Sequence, residues 1–119
     1  MNVVKFSEVE EKVLKIRGEN VILDSDVAVL YGVETKRVNE ALKNNPEKFP
    51  DGYVIGVSPT AFTEKGLYML ATILKSPQAT QTTIAIVEAF AKIRELSRTI
   101  AALSQSHEEF QQKQLMQKV

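Results

Sequence analysis

A chain of 119 residues, 44% hydrophobic and 25% charged, has the length and composition of one globular domain, not of a disordered or fibrous segment. It holds no cysteine and one histidine, which excludes disulfide staples, thiolate metal sites and Cys nucleophiles and leaves no His-based zinc cluster. Fifteen basic residues cancel fifteen acidic ones, so net charge selects no partner and any nucleic-acid surface has to be local.

In chain order, Glu11 to Leu23 reads as a β-hairpin. Val13-Leu14-Lys15-Ile16-Arg17 and Val21-Ile22-Leu23 are β-branched-rich runs around a turn at Gly18-Glu19-Asn20, although Ser7 to Lys15 also carries the apolar spacing of a short helix. Asp24 or Ser25 is positioned to cap a helix running to about Tyr31, with Asp26 favourable in its first turn. Gly32 stops that helix and Thr35 to Asn44 forms the next, closed by Asn44-Asn45-Pro46 because Pro disfavours a helical residue before it. Pro50-Asp51-Gly52 is a turn, and Tyr53-Val54-Ile55 with Val57 is a short strand. Thr63 caps a helix from Glu64 to about Lys75 that buries Leu67, Leu70, Ala71 and Leu74, with Gly66 weakening its first turn slightly. Ser76-Pro77 starts a last helix, which meets no Gly or Pro up to about Met116. Its stripe of Ile86, Phe90, Ile93, Leu96, Ile100 and Leu103 lies near coiled-coil spacing, and beyond it the Gln-rich end frays or is partly disordered.

Residues 24–43 have the spacing of a helix-turn-helix. Ala28 is the small residue at the crossing of two helices, Gly32 tolerates the positive φ of the turn, Val33 lies beneath it, and Val38 packs back on the first helix with Ala41 and Leu42. At about 100° per residue, this leaves Lys36, Asn39, Glu40 and Lys43 facing outward, with Arg37 and Asn44 flanking. A helix of this kind fits the major groove. Lys36 and Arg37 suit phosphate or guanine contacts and Asn39 suits adenine; Thr35, Lys43 and Asn44 complete the candidate DNA-binding set. The same polar groups could simply solvate a surface helix. The charge excess is slight, because Asp24 to Asn45 sums to −1 and Thr35 to Lys48 to +2. One protomer would therefore bind weakly and a dimer better.

At this point the sequence resembles the phage and prophage DNA-binding domains of the KilA-N superfamily, in the branch called the ORF-six-N domain. Three blocks carry the resemblance: Ile16 through Glu40; Asn44-Asn45 with Lys48-Phe49-Pro50; and Ala61 through Leu70, continuing with Leu74-Lys75-Ser76, Ile84 to Phe90 and Arg94-Glu95-Leu96. The resemblance implies a DNA-binding module of antirepressor-like and regulatory proteins in bacteria and their viruses. Members usually carry a longer polar and basic insert between Val57 and Pro59, where this chain has only Ser58. An insert that served as a wing on the DNA backbone would be missing here.

Other signals are weaker. Thr63-Glu64-Lys65-Gly66 lacks the glycines of a phosphate loop, Asp24 and Asp26 lack the partners of a calcium loop, and His107 lies in a polar tail beside Glu108 and Glu109. No nucleophile–base pair or carboxylate dyad is legible, so no catalytic residue, cofactor, metal or small-molecule substrate is expected. No apolar run approaches the roughly 18 residues of a membrane span and the Met1–Lys5 start is no signal peptide, so a cytoplasmic, nucleoid-associated setting in a bacterial cell is expected.

The expectation is thus a helix-rich α+β fold with an N-terminal β-hairpin, a helix-turn-helix-like core, a short strand and a long C-terminal helix. Residues 1–98 form the DNA-binding domain and 99–119 a helical tail. The expected function is sequence-directed binding of double-stranded DNA as a phage-type regulator. A homodimer through the C-terminal helix is expected, with parallel and antiparallel pairing both open. The alternative is an antirepressor-like interaction module that works through the long helix without touching DNA.

Overall fold

A computed structural model describes residues 6–75 and 77–117, with side chains through residue 113. The fold is α+β, and among these residues the elements run α1 (Phe6–Lys12), β1 (Leu14–Ile16), β2 (Glu19–Leu23), α2 (Asp24–Tyr31), α3 (Thr35–Asn44), β3 (Val54–Ile55), β4 (Ala61–Thr63), α4 (Glu64–Ala71) and α5 (Pro77–Gln117). A single turn of 3₁₀-helix, Pro46–Lys48, follows α3. The described residues divide into two compact units between Ala89 and Phe90.

In the N-terminal unit, the hairpin forms with its turn one residue earlier than the sequence suggests. Ile16 pairs with Glu19, so the loop is Arg17-Gly18 and Glu19-Asn20 already belong to β2. Both loop residues have positive φ, 52° and 79°, as a two-residue turn matched to the right-handed twist of a hairpin requires. The apolar spacing of Ser7 to Lys15 is divided: α1 takes the part up to Lys12 and β1 starts at Leu14. Lys12 Nζ lies 3.6 Å from Asp26 Oδ1, a partly exposed ion pair between α1 and α2 worth under about 1 kcal/mol.

The hairpin is half of a four-stranded antiparallel sheet of order β1-β2-β4-β3. The strand β4 was not expected; Ala61-Phe62-Thr63 is too short to show an alternating pattern, and all three residues are buried. Phe62 pairs with Ile22 on one side and Val54 on the other, and its ring meets Phe49 edge-on at 6.2 Å between centroids. This puts the core of the unit where β2, β4, α2 and α4 converge, around Val21, Ile22, Val27, Leu30, Phe62 and Leu67.

Helix α4 starts as expected, with Thr63 Oγ1 accepting the Gly66 N–H at 3.3 Å. It stops at Ala71 instead of Lys75. The Thr72 hydroxyl donates to the Met69 carbonyl at 2.7 Å, and the Thr72 and Ile73 amides donate to Met69 and Leu70, which tightens and ends the last turn. Leu74 is still buried, whereas Ala71 is only half-buried. Pro77 opens α5 at its first residue; Ser76, expected beside it, lies outside the described residues.

The first turns of α5 close over the end of α2. Thr82, fully buried, donates its hydroxyl to the Leu30 carbonyl at 3.0 Å, and Thr83 Oγ1 lies 3.0 Å from the Tyr31 hydroxyl. Burial raises the Tyr31 phenol above its ordinary 10.0, with the Thr83 hydrogen bond offsetting part of the rise. The neutral phenol is the form the fold favours, so this contribution is complete below about pH 10 and is lost as the pH climbs through the raised value. The urea midpoint should fall above that pH, and fall less steeply in Tyr31→Phe.

The C-terminal unit is the rest of α5, one unbroken helix to Gln117. Its sequence after Pro77 holds neither Gly nor Pro and is rich in Ala, Glu, Gln and Lys, so nothing local breaks it. Among the described residues no helix is long and apolar enough to cross a membrane.

Candidate nucleic-acid interface

The interface is built on the bend between α2 and α3. Gly32 ends α2 in the left-handed region (φ 68°, ψ 34°). Its amide donates to Val29 O at 3.2 Å and the Val33 amide donates to Ala28 O at 3.0 Å, the paired bonds of a Schellman ending. Val33, half-buried, turns the chain, and α3 starts within two residues, its first amides turning back to the Glu34 carbonyl (Arg37 N–H at 2.9 Å). Ala28 is buried at the crossing. Val38 and Ala41 are buried against α2, with Leu42 half-buried beside them.

The opposite face of α3 is open. Lys36, Glu40 and Lys43 lie along its middle and Arg37 and Asn44 on its flanks, all exposed. Of the six residues singled out in the sequence, Lys36, Arg37, Lys43 and Asn44 stand on this face, while Thr35 and Asn39 are half-buried. Asn39 is held: its amide donates to Asp24 Oδ2 at 3.2 Å.

That contact belongs to a small network the sequence did not disclose. Asp24 was expected as a helix cap, but β2 runs into α2 with no intervening loop. Leu23 therefore takes the extended cap conformation, without a side-chain cap bond, and Asp24 is the first helical residue. Its buried carboxylate accepts from Ser25 N at 2.8 Å, Asn39 Nδ2 at 3.2 Å and Thr60 N at 3.4 Å, and its own amide donates to Thr60 O at 2.8 Å. One side chain thus ties α2, α3 and the end of the β3–β4 loop together.

The β3–β4 loop, Gly56 to Thr60, lies beside α3. Gly56, Val57 and Thr60 share with Asn39, Leu42 and Lys43 a shallow recess of about 270 Å³. Val57 is 91% exposed at the loop's edge. The segment around Ser58 therefore lies beside α3, at the edge that carries Lys43. Among the described residues no group of three or more His, Asp or Glu side chains is gathered that could hold a metal ion.

Residues 11–58 match the family model of the ORF6N domain. This segment is similar to phage-type ORF6N domains. No curated protein and no solved structure matches the chain. The ORF6N match takes in the hairpin, α2, the bend, α3 and β3, and ends inside the β3–β4 loop; the third block of the sequence resemblance, from Ala61 onward, lies outside it. In space the ORF6N segment is not self-sufficient, since β4 pairs with both β2 and β3 and supplies Phe62 to their common core.

Proposed function

We propose that this ORF6N-like unit is a regulatory DNA-binding domain that enters the major groove of double-stranded DNA with α3. The observation that carries the reading is the open face of α3. A ten-residue helix, held from behind by Val38 and Ala41, leaves Lys36, Arg37, Lys43 and Asn44 exposed on a rod of groove width. Lys36 and Arg37 at the start of the helix contact phosphate or guanine, and Lys43 and Asn44 extend the contact toward its end. Thr35 contributes from the edge. Asn39 acts chiefly by fixing α3 against Asp24, a second donor proton and its carbonyl remaining for adenine. The short β3–β4 loop adds Val57 beside the groove helix and no cation, so few phosphates are neutralised and a single unit binds modestly.

Fluorescence anisotropy with a mixed-sequence duplex, titrated across salt, tests this. The logarithm of affinity should fall linearly with the logarithm of salt, by about 0.9 per phosphate contacted. The pair Lys36→Ala with Arg37→Ala should weaken binding and flatten that slope by about two units, with the urea midpoint unchanged because both side chains are exposed. Unchanged affinity and slope would remove α3 from the interface. No binding even at low salt would favour the antirepressor-like alternative, in which the protein acts on another protein through its long helix.

A further inference from the structure

The C-terminal unit carries an apolar seam in a strict heptad. Counting Ile93 as position a, Leu96 falls at d, Ile100 at a, Leu103 at d, His107 at a and Phe110 at d. The helix is unbroken throughout this segment, about 26 Å long. Leu96, Ile100, Leu103 and Phe110 are 49, 62, 66 and 59% exposed, more than scattered surface apolar residues would explain, because all four fall on one stripe.

We propose that residues 93–110 pair with the same segment of a second copy as a parallel, in-register, two-stranded coiled coil. Side-chain shape supports two strands: the a positions carry β-branched Ile93 and Ile100, and the d positions carry Leu96 and Leu103. Charge supports the parallel direction. Parallel pairing sets position g of one helix against the following e of the other, which gives Lys92 with Ser97, Thr99 with Ser104 and Ser106 with Gln111, free of like charges. Antiparallel pairing centred on the same seam would oppose Lys92 and Lys113 at both ends and press His107 against Leu96. In the parallel register His107 meets His107, and one neutral imidazole can donate to the other. A polar residue at one a position in this way fixes register at some cost in affinity. The pairing goes beyond the DNA-binding reading and is read without DNA.

Because the chain has no cysteine, single substitutions report the pairing cleanly. Sedimentation should give a dimer in the micromolar range, and Leu103→Glu should raise its dissociation constant about a hundredfold without changing the urea midpoint of the N-terminal unit. Under mild oxidation His107→Cys should form a covalent dimer and Ala101→Cys, on the outer side of the helix, should not. A monomer throughout, or a dimer indifferent to Leu103→Glu, would overturn the proposal. So would a dimer in which His107→Cys cross-links no better than Ala101→Cys, which would assign the antiparallel arrangement.

Discussion

Replacing Gly66 with alanine should destabilise the N-terminal unit by about 3 kcal/mol, lowering its melting temperature by roughly 15 °C. Two effects oppose each other at this position. Gly66 is in the first turn of α4 without a left-handed φ, so helix propensity alone would make alanine better by up to about 1 kcal/mol. A Cβ there, however, would collide with the carbonyl oxygen of Tyr53. That oxygen cannot retreat, because it accepts the Thr63 amide at 3.1 Å and lies 2.9 Å from the Thr63 hydroxyl, which also reaches Gly52 O at 2.8 Å. The collision therefore separates β3 from β4 or pushes α4 off the sheet. Gly32→Ala is the useful contrast. Its φ of 68° costs about 1–2 kcal/mol, but the nearest atom to a new Cβ, 2.6 Å away, is the end of the Gln78 side chain, which can swing aside. Urea denaturation followed by tyrosine fluorescence reads both, since the three tyrosines, Tyr31, Tyr53 and Tyr68, all belong to the N-terminal unit and the chain has no tryptophan. A Gly66→Ala midpoint equal to the parent's, or a smaller loss than for Gly32→Ala, would show that the strand contact is not rigid.

The same glycine marks where sequence reading stops. Thr63, Glu64 and the apolar spacing of Leu67 and Leu70 announce the start and buried face of α4, because caps and periodicity are local signals. What makes Gly66 necessary is a carbonyl thirteen residues earlier, brought in by strand pairing. The strand β4 was hidden for a related reason: three residues are too few for period-two alternation to show, and Phe62 between Ala61 and Thr63 reads as well as a helix approach. The hairpin turn slipped by one because Gly18 was assigned the start of the reversal. Its partner in left-handed backbone is Arg17, a residue whose type does not advertise positive φ.

The candidate interface divides along the same line. Val38, Ala41 and Leu42 against Lys36, Glu40 and Lys43 is a helical periodicity, and the structure has the open and covered faces of α3 on the expected sides. Gly32 as the stop of α2 was legible because few other residues fit a Schellman ending. Asn39 was legible as outward by angle and yet is tethered, because its partner Asp24 is fifteen positions earlier and the Thr60 amide that also binds Asp24 is thirty-six positions beyond Asp24. The Pro59 break after Val57 and Ser58 was legible as a loop, but only the fold shows that loop to be alongside α3.

The Asp24 tether sets the last expectation. Asp24→Ala should cost about 3 kcal/mol, since it strands the Thr60 amide of a residue that is only 3% exposed and removes the anchors of Ser25 and Asn39 as well. Asp24→Asn keeps one acceptor oxygen and should recover part of that loss. Asn39→Ala, which leaves Asp24 its other two donors, should cost nearer 1 kcal/mol, and the double variant should fall short of the sum because the two share one bond. The DNA readout separates positioning from recognition. If Asn39 serves by holding α3, Asp24→Ala and Asn39→Ala should weaken duplex binding by similar factors, and combining them should weaken it little further. If its amide reads adenine, Asn39→Ala should weaken binding well beyond Asp24→Ala and change the preference among duplex sequences, while Asp24→Ala lowers affinity for all of them alike. Equal binding by both variants and the parent, at temperatures where each is folded, would leave the α2–α3 tether without a role in DNA contact.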